Sequence, residues 1–444
     1  MKRPAVLCAA VTFVLLLVTS GRYGYHRDEL YFLAAGKHPA FGYPDQPPLV
    51  PLLARLFDTG SLVLLRLPST VMGALVVLLT GLMAERLGAR RSGQWLAGAA
   101  AAICGLVLAI GHLLSTATTE LLGWVLITYL GLRVLQGGDR RLWLLVGLVG
   151  GITFQANTLV GFLLLALALL RPRDPGPWTA GAIALVIGSP YLVWQAQHDW
   201  PQLDIARNIA AGGSTSSVPR SLFLVFVVLQ VGPWLLPVWG AGLRRLLRDR
   251  DLRCFPLALL GLAVVFLALG GKPYYLGGLV PLMIAAGAQP VVDRAPRWVP
   301  AALVVLSAPA LFFTLPLLPL SAVGPVLAVN PDAGNTIGWE SFSQQVSSQA
   351  PGIVITENYG EAGALQHYTS LRVYSGHNGY GLWDVPPGSE PALLVGLDPT
   401  FCSTSAVVGK VSMPVDNDED GVELRTCTPR APWSELWPQI RHDD

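Results

Sequence analysis

The sequence predicts an all-α polytopic membrane protein that carries a small α/β domain at its C-terminal end. Three observations predict it. Only 13% of the 444 residues are charged, where a soluble chain has about a quarter, and the mean hydropathy is +0.51. Apolar runs long enough to cross a bilayer, about 17–25 residues, recur from the N-terminus to about residue 320. From about residue 321 those runs give way to polar residues and short alternating stretches. Backbone in hydrocarbon must satisfy its own hydrogen bonds, which successive long runs do as helices. The net charge of +2 gives no basis for nucleic-acid binding, and none is expected.

About eleven spans are read, at roughly 3–20, 61–84, 92–111, 117–135, 141–154, 157–170, 178–197, 221–241, 255–270, 275–290 and 298–319. The fifth and sixth are short enough for a re-entrant hairpin. The first run, MKRPAVLCAAVTFVLLLVTSG, resembles a signal peptide. It shows no small-x-small cleavage site and is read as an uncleaved helix. The positive-inside rule orients the set. With the N-terminus in the cytoplasm, Lys2, Arg3, Arg90, Arg91, Arg140, Arg141, Arg171, Arg173, the arginines of 244–253 and Arg294 all fall in short cytoplasmic loops. The expected topology is N-in and C-out, in a multi-pass protein of the cell membrane. The first loop (21–60), a long flexible loop (198–220), "GGKPYY" and everything after about 320 then lie outside the cytoplasm.

Residues 321–444 are expected to form a separate extracytoplasmic α/β unit, with residues 1–320 as the membrane part. "GIVITEN", "RVYSG" and "ALLVGL" alternate as strands do, and "EAGALQHYTS" between the first two reads as a helix. Cys8, Cys104 and Cys254 fall in or beside spans, where a small apolar role is the default. Cys402 and Cys427 fall in the C-terminal unit, in a compartment that permits disulfides, so a bridge is expected there. The chain has no CxxC, HExxH, P-loop or GxGxxG, which argues against an ATP-driven pump or a cytoplasmic nucleotide site.

The first loop crowds His26, Arg27, Asp28, Glu29, Lys37, His38 and Asp45 directly against the first apolar run. Its pieces "DELYFLAAG" and "PPLVPLLARLF" are weakly amphipathic and short, as segments lying in the membrane interface are. A loop that hugs the bilayer and carries carboxylates suits a substrate with a lipid tail and a polar head. Taken alone, Asp28 reads as the cap of a helix starting at Glu29. Adjacent helical residues diverge by about 100°, so Asp28 and Glu29 cannot both aim at one pocket. One is the base and the other structural. Asp45 lies in "YPDQPPL", where prolines stiffen the chain, and an Asp before such a turn is ordinary. Glu120 sits near the outer end of the span at 117–135, and ionisable groups in spans are functional suspects.

The order of these pieces resembles the GT-C membrane glycosyltransferases. A DE pair (Asp28, Glu29) just after the first span, then D-x-P-P-L (Asp45 to Leu49) opening an interfacial helix, is that class's first-loop signature. More narrowly it resembles glycosyltransferase family 39, the group of the protein O-mannosyltransferases and aminoarabinose transferases. "GGKPYYLGGLVPL" is similar to the family's K-x-Y-Y-x-x-P element. Where several relatives place Lys before the Pro-Pro pair to meet the lipid phosphate, this chain has Gln46.

The resemblance implies transfer of a sugar, mannose-like, from a polyprenyl-phosphate carrier to an acceptor hydroxyl outside the cytoplasm, with inversion. The acceptor is a protein, a glycolipid or a polysaccharide. An attacking hydroxyl needs a carboxylate base within hydrogen-bond reach. Asp28 is assigned that role, with Glu29 and Asp45 completing the catalytic set. A leaving phosphate is stabilised by preorganised cations, for which Lys272 with Tyr274 and Tyr275, or Arg207, are candidates. His26, Gln46 and Glu120 are candidate substrate contacts. With carboxylates, His26, His38 and His198 are candidates for a divalent cation, but no spacing among them is diagnostic and no cofactor is assigned. The competing reading is a transporter or flippase, which places its ionisable groups at the midplane on broken helices, often with internal repeats. Here the charges gather at one membrane face and no repeat is visible.

Overall fold

The computed structural model describes residues 3–213, 217–350 and 352–443. Lys2, used above to orient the N-terminus, and residues 214–216 of the long loop lie outside the described residues. The chain runs through α1 (Arg3–Thr19), then α2 (Arg27–Lys37) and α3 (Leu49–Leu56), which make up the first loop. Next come α4 (Leu62–Arg86), α5 (Arg91–Ala102), α6 (Gly105–His112), α7 (Thr116–Leu135), α8 (Leu142–Phe154), α9 (Val160–Leu170) and α10 (Pro175–Gln197). The helical part closes with α11 (Pro201–Ala211), α12 (Phe223–Val231), α13 (Leu236–Arg248), α14 (Cys254–Leu269), α15 (Val280–Arg294), α16 (Val299–Ser307) and α17 (Ala310–Thr314).

Among the described residues, four helical segments are long and apolar enough to cross a membrane: Leu62–Arg86, Thr116–Leu135, Pro175–Gln197 and Pro273–Arg294. Two bent pairs raise this to six, and five further apolar helices are shorter. Two expected continuous spans are broken. The one at 92–111 bends by 53° between α5 and α6, and the one at 221–241 bends by 81° between α12 and α13. The second break follows from Gly232 at φ 112°, a conformation open to glycine, with Pro233 unable to donate to the preceding turn. The 198–220 loop, expected to be flexible, contains α11, which Pro201 starts and the left-handed Gly212 ends.

Beyond α18 (Gly324–Val329) and α19 (Trp339–Gln349) lies a five-stranded sheet of order β2-β1-β3-β5-β4. β1 (Ile353–Thr356) pairs in parallel with β2 (Arg372–Ser375) and β3 (Ala392–Val395), while β5 (Glu423–Pro429) runs antiparallel to β3 and to β4 (Cys402–Lys410). β1 and β3 are buried at every position, the pattern of strands covered on both faces. The crossover from β1 to β2 is α20 (Tyr359–Tyr368), followed by α21 (Tyr380–Trp383) and a final helix, α22 (Trp433–Ile440). A Cys402–Cys427 disulfide ties β4 to β5, and Cys8, Cys104 and Cys254 are free and buried.

One expectation about the first loop is overturned. α2 does not expose an apolar face to lipid: it is sandwiched between the membrane helices and α20, with every residue from Glu29 to Gly36 buried. Two glycines of α20 make that approach close. A Cβ at Gly363 would meet the Leu30 side chain at 2.9 Å, and one at Gly360 would meet that of Arg27 at 2.9 Å. Leu30, Tyr31 and Phe32 share one apolar cluster with Trp339, Phe342, Ala362 and Leu365. Docking of the C-terminal domain supplies the cover that lipid was expected to supply.

Candidate active site

His26, not Asp28, caps α2. In the neutral ring its Nδ1 accepts the Asp28 N–H at 3.1 Å, and its own backbone N–H reaches the Glu29 carboxylate at 2.8 Å. This reciprocal arrangement satisfies two otherwise free donors. The reading of Asp28 as a cap therefore fails, and its side chain is released for other work.

Glu29 faces the membrane helices and is fully buried. Arg66 of α4 grips it with two bonds, Nε at 2.8 Å and an Nη at 2.7 Å, while the Leu114 N–H donates at 3.0 Å. The same guanidinium reaches the carbonyls of Ser20 and Gly24. With the His26 N–H, four protein donors occupy the two oxygens of Glu29, leaving no acceptor for substrate. Glu29 anchors the loop to the bundle, and of the adjacent pair Asp28 is the one open to chemistry.

Asp28 faces the opposite way, into the seam between the first loop and the C-terminal domain. Its side chain is 38% exposed and accepts one bond, from the Tyr359 hydroxyl at 2.8 Å. Asp45 is held in the same manner, by the Tyr31 hydroxyl at 2.8 Å. The two tyrosine rings lie 4.9 Å apart, so both carboxylates belong to one cluster. Tyr31 is fixed further by the Gly379 N–H at 3.1 Å, and Arg27 stacks over Tyr359 at 4.8 Å. Burial pushes the Asp45 carboxyl up to about 7, against the Tyr31 bond and with the charges of Asp28 and Asp443. A carboxyl so placed titrates where acid–base chemistry at neutral pH needs it.

A positive group sits on either side. His26 Nε2 lies 3.4 Å from Asp332 Oδ1. Burial works against its charge, but Asp332, Asp28 and Glu29 lift the imidazole to about 9, and the charged ring gives up the Nδ1 acceptor of the cap. Asp332 is held well below the usual carboxylate range by that imidazolium, despite its own burial. Lys272 is half-buried in the same electrostatic neighbourhood. Burial lowers its pKa, and Asp28 and Asp332 oppose the fall. Tyr274 lies within reach of the charges of Glu120, Asp332 and Asp28, and packs edge-on against Tyr275 at 5.0 Å. Glu120 is buried near the start of α7, with one oxygen bonded to Asn157 Nδ2 at 2.9 Å and the other without a protein partner. Seven of the predicted residues, Asp28, Asp45, His26, Lys272, Tyr274, Tyr275 and Glu120, therefore gather at one end of the bundle.

Others do not join them. Arg207 lies exposed on α11 and pairs with Asp204 at 2.6 Å. Gln46 is 2% exposed, with neither amide atom hydrogen-bonded in the protein. The three histidines considered for a metal diverge: His38 stacks on Trp383, His198 stacks on Trp194, and His26 caps α2. Among the described residues no group of three or more His, Cys, Asp or Glu is placed to hold a metal ion, so no step is routed through one. Sequence reasoning missed Arg66, Tyr31, Asp332 and Tyr359. A lone arginine inside the run "LVLLRLPST" was a visible signal for the first.

The chain is similar in fold to several solved structures. Among solved structures, ArnT from Cupriavidus metallidurans in the apo state matches with a TM-score of 0.60 at 17% identity, covering 95% of this chain and 97% of that one. The same protein bound to undecaprenyl phosphate matches at 0.59 and 17%, covering 96% and 98%. The Archaeoglobus fulgidus oligosaccharyltransferase, tethered with an acceptor peptide, matches at 0.52 and 13%, covering 84% of this chain and 63% of that one. The fold is that of the GT-C membrane glycosyltransferases, and the resemblance stated from the sequence is borne out. More narrowly, residues 45–194 match the family model described as dolichyl-phosphate-mannose-protein mannosyltransferase. That match starts at Asp45 and includes Glu120, but excludes Asp28 and the C-terminal domain. No curated protein sequence matches.

Proposed function

We propose that this protein is an integral-membrane glycosyltransferase that moves a sugar from a polyprenyl-phosphate carrier to an acceptor hydroxyl, with inversion at the anomeric carbon. The observation that carries the proposal is the pair of carboxylates, Asp28 and Asp45, each held by one tyrosine hydroxyl beside Lys272. The acceptor oxygen attacks the anomeric carbon and gives its proton to Asp28. The bond from that carbon to the phosphate oxygen breaks, and the lipid phosphate leaves with its electron pair. Lys272, with Tyr274 and Tyr275 behind it, meets the charge that grows on the phosphate. Asp45, titrating near neutrality, orients the acceptor and supports the base. The solved relative bound to undecaprenyl phosphate supports a polyprenyl carrier.

The site faces the extracytoplasmic side in this reading, with the N-terminus in the cytoplasm. Eleven apolar helical segments, some bent or short, carry the chain between the two faces. The basic residues at the far helix ends support that orientation. The acceptor is a hydroxyl on a protein, a glycolipid or a polysaccharide.

The test compares membranes holding the native chain with membranes holding Asp28→Asn at matched amounts. Polyprenyl-phosphate sugars carrying a radiolabel, mannose first, are supplied, and label leaving the carrier is counted. Transfer by the native chain, reduced roughly 10²–10⁴-fold in the variant, is the expected result. Transfer unaffected by Asp28→Asn removes Asp28 as base, and labelled lipid that only changes leaflet replaces the enzyme with a transporter.

A further inference from the structure

The helix ends farthest from Lys272 carry a feature that sugar transfer does not use. The helical segment Pro273–Arg294 starts beside Lys272 and ends at Arg294, about 30 Å away at 1.5 Å per residue. There a cavity of about 620 Å³ opens between α13, α15 and α16. Arg244, Arg245, Arg248 and Arg294 line it, over a floor that includes Val291, Val299 and Leu303, and no carboxylate lines it.

The charge in this cavity is uncompensated. Arg245 donates to the carbonyls of Ala286 at 3.0 Å and Leu87 at 2.5 Å, which fixes it in place. Among the described residues Arg244, Arg248 and Arg294 make no ion pair. The carboxylates next to these arginines in sequence are otherwise engaged: Asp293 by Arg90 and Gln289, and Asp249 by the N–H groups of Asp251 and Leu252. A second, smaller cavity of about 350 Å³ on the same face makes the contrast. It is lined by Arg171, Arg173, Arg250 and Arg253, but also by Asp174, which pairs with Arg140 and Arg171. A wish to keep basic residues on one side of the membrane explains arginines at both places. It does not explain why one set converges, without a counter-charge, on an apolar hollow.

We propose that the larger cavity binds the phosphate of an anionic phospholipid, with the lipid tails running down the apolar side of α16. Planar guanidinium forks match phosphate oxygens in pairs, and basic pockets between membrane helices are the recognised form of anionic-headgroup sites. The apolar floor favours a lipid over free phosphate. It continues into Leu306, 46% exposed and three residues beyond Leu303 on the same side of α16.

The test uses the purified full chain in detergent and native mass spectrometry. Phosphatidylglycerol, phosphatidylcholine and inorganic phosphate are titrated separately. Phosphatidylglycerol binds in preference to both others, and Arg244→Gln/Arg248→Gln/Arg294→Gln weakens it about 100-fold, near fivefold for each arginine. Arg173→Gln/Arg253→Gln, in the compensated cavity, leaves binding unchanged. Equal binding of phosphatidylcholine, equal binding of inorganic phosphate, full binding by the triple variant or an equal loss in the control each overturns the site. Should the triple variant not fold, Arg248→Gln alone is read: a fivefold loss supports the proposal and no loss overturns it.

Discussion

The two faces of α2 hold carboxylates under opposite rules. On the membrane side Glu29 is enclosed by four donors, one of them a bidentate arginine, and has no lone pair to spare. On the domain side Asp28 accepts one hydrogen bond among the described residues, from a hydroxyl, has His26 Nδ1 3.8 Å away, and remains partly open. Residues adjacent in sequence thus divide the labour, one securing the loop and the other staying available to react. Saturation by donors leaves Glu29 no lone pair for a ligand, whereas Asp28 keeps acceptor capacity.

The largest test of this contrast removes the anchor. Arg66→Met leaves Glu29 buried and charged without its partner, at a cost of about 3–5 kcal/mol. Thermal unfolding of the detergent-purified chain is expected to show a sharply lowered midpoint, partly restored by adding Glu29→Gln. A midpoint as high as the parent's would put both faces of α2 on the same footing.

Tyr359→Phe acts on the other face and by less. A neutral hydrogen bond is worth about 1 kcal/mol, so transfer from the labelled donor falls roughly fivefold while the unfolding midpoint holds. A fall in stability with transfer unchanged would make Tyr359 an anchor like Arg66.

Tyr31→Phe sharpens the assignment of Asp45 through pH. The Tyr31 bond lowers an affinity for protons that burial raises to about 7. Its removal therefore raises that affinity further, and the acid limb of the transfer-rate profile moves to higher pH. A limb that stays in place detaches Asp45 from the reaction.

The smallest effect concerns His26 and Asp332. His26 is raised from its ordinary 6.5 to about 9 by its carboxylate neighbours. A raised group stabilises the fold fully below 6.5, and that contribution is lost as pH climbs through about 9. Unfolding midpoints at pH 6, 8 and 10, compared with those of Asp332→Asn, are expected to converge only at the highest pH. Parallel curves would remove the ion pair from the stability of the loop.

Much of the helical part was legible because the apolar period and the basic loops are written in runs. The strands β1, β2 and β3 and the helix α20 also fall where alternation and turn residues put them. The carboxylates Asp28 and Asp45 stood out through their place beside the first span. Their partners did not, because Tyr31 and Tyr359 gain meaning only when α20 docks on α2. Their sequence surroundings read equally well as ordinary packing. The setting of α2 was misread for the same reason. A mildly amphipathic helix beside a bilayer looks interfacial unless the glycines Gly360 and Gly363, far down the chain, are known to press against it. The breaks at 103–104 and 232 had local cause only in the second case, where Gly and Pro adjoin.

The hydrogen bond between Tyr359 and Asp28 spans 331 positions of chain, which bears on the order of manufacture. A ribosome delivers the Asp28 carboxylate 331 residues before the hydroxyl that holds it. The growing polypeptide therefore carries Asp28 unheld by Tyr359 across that interval. A molecule cut short before residue 359 holds Asp28 without this partner.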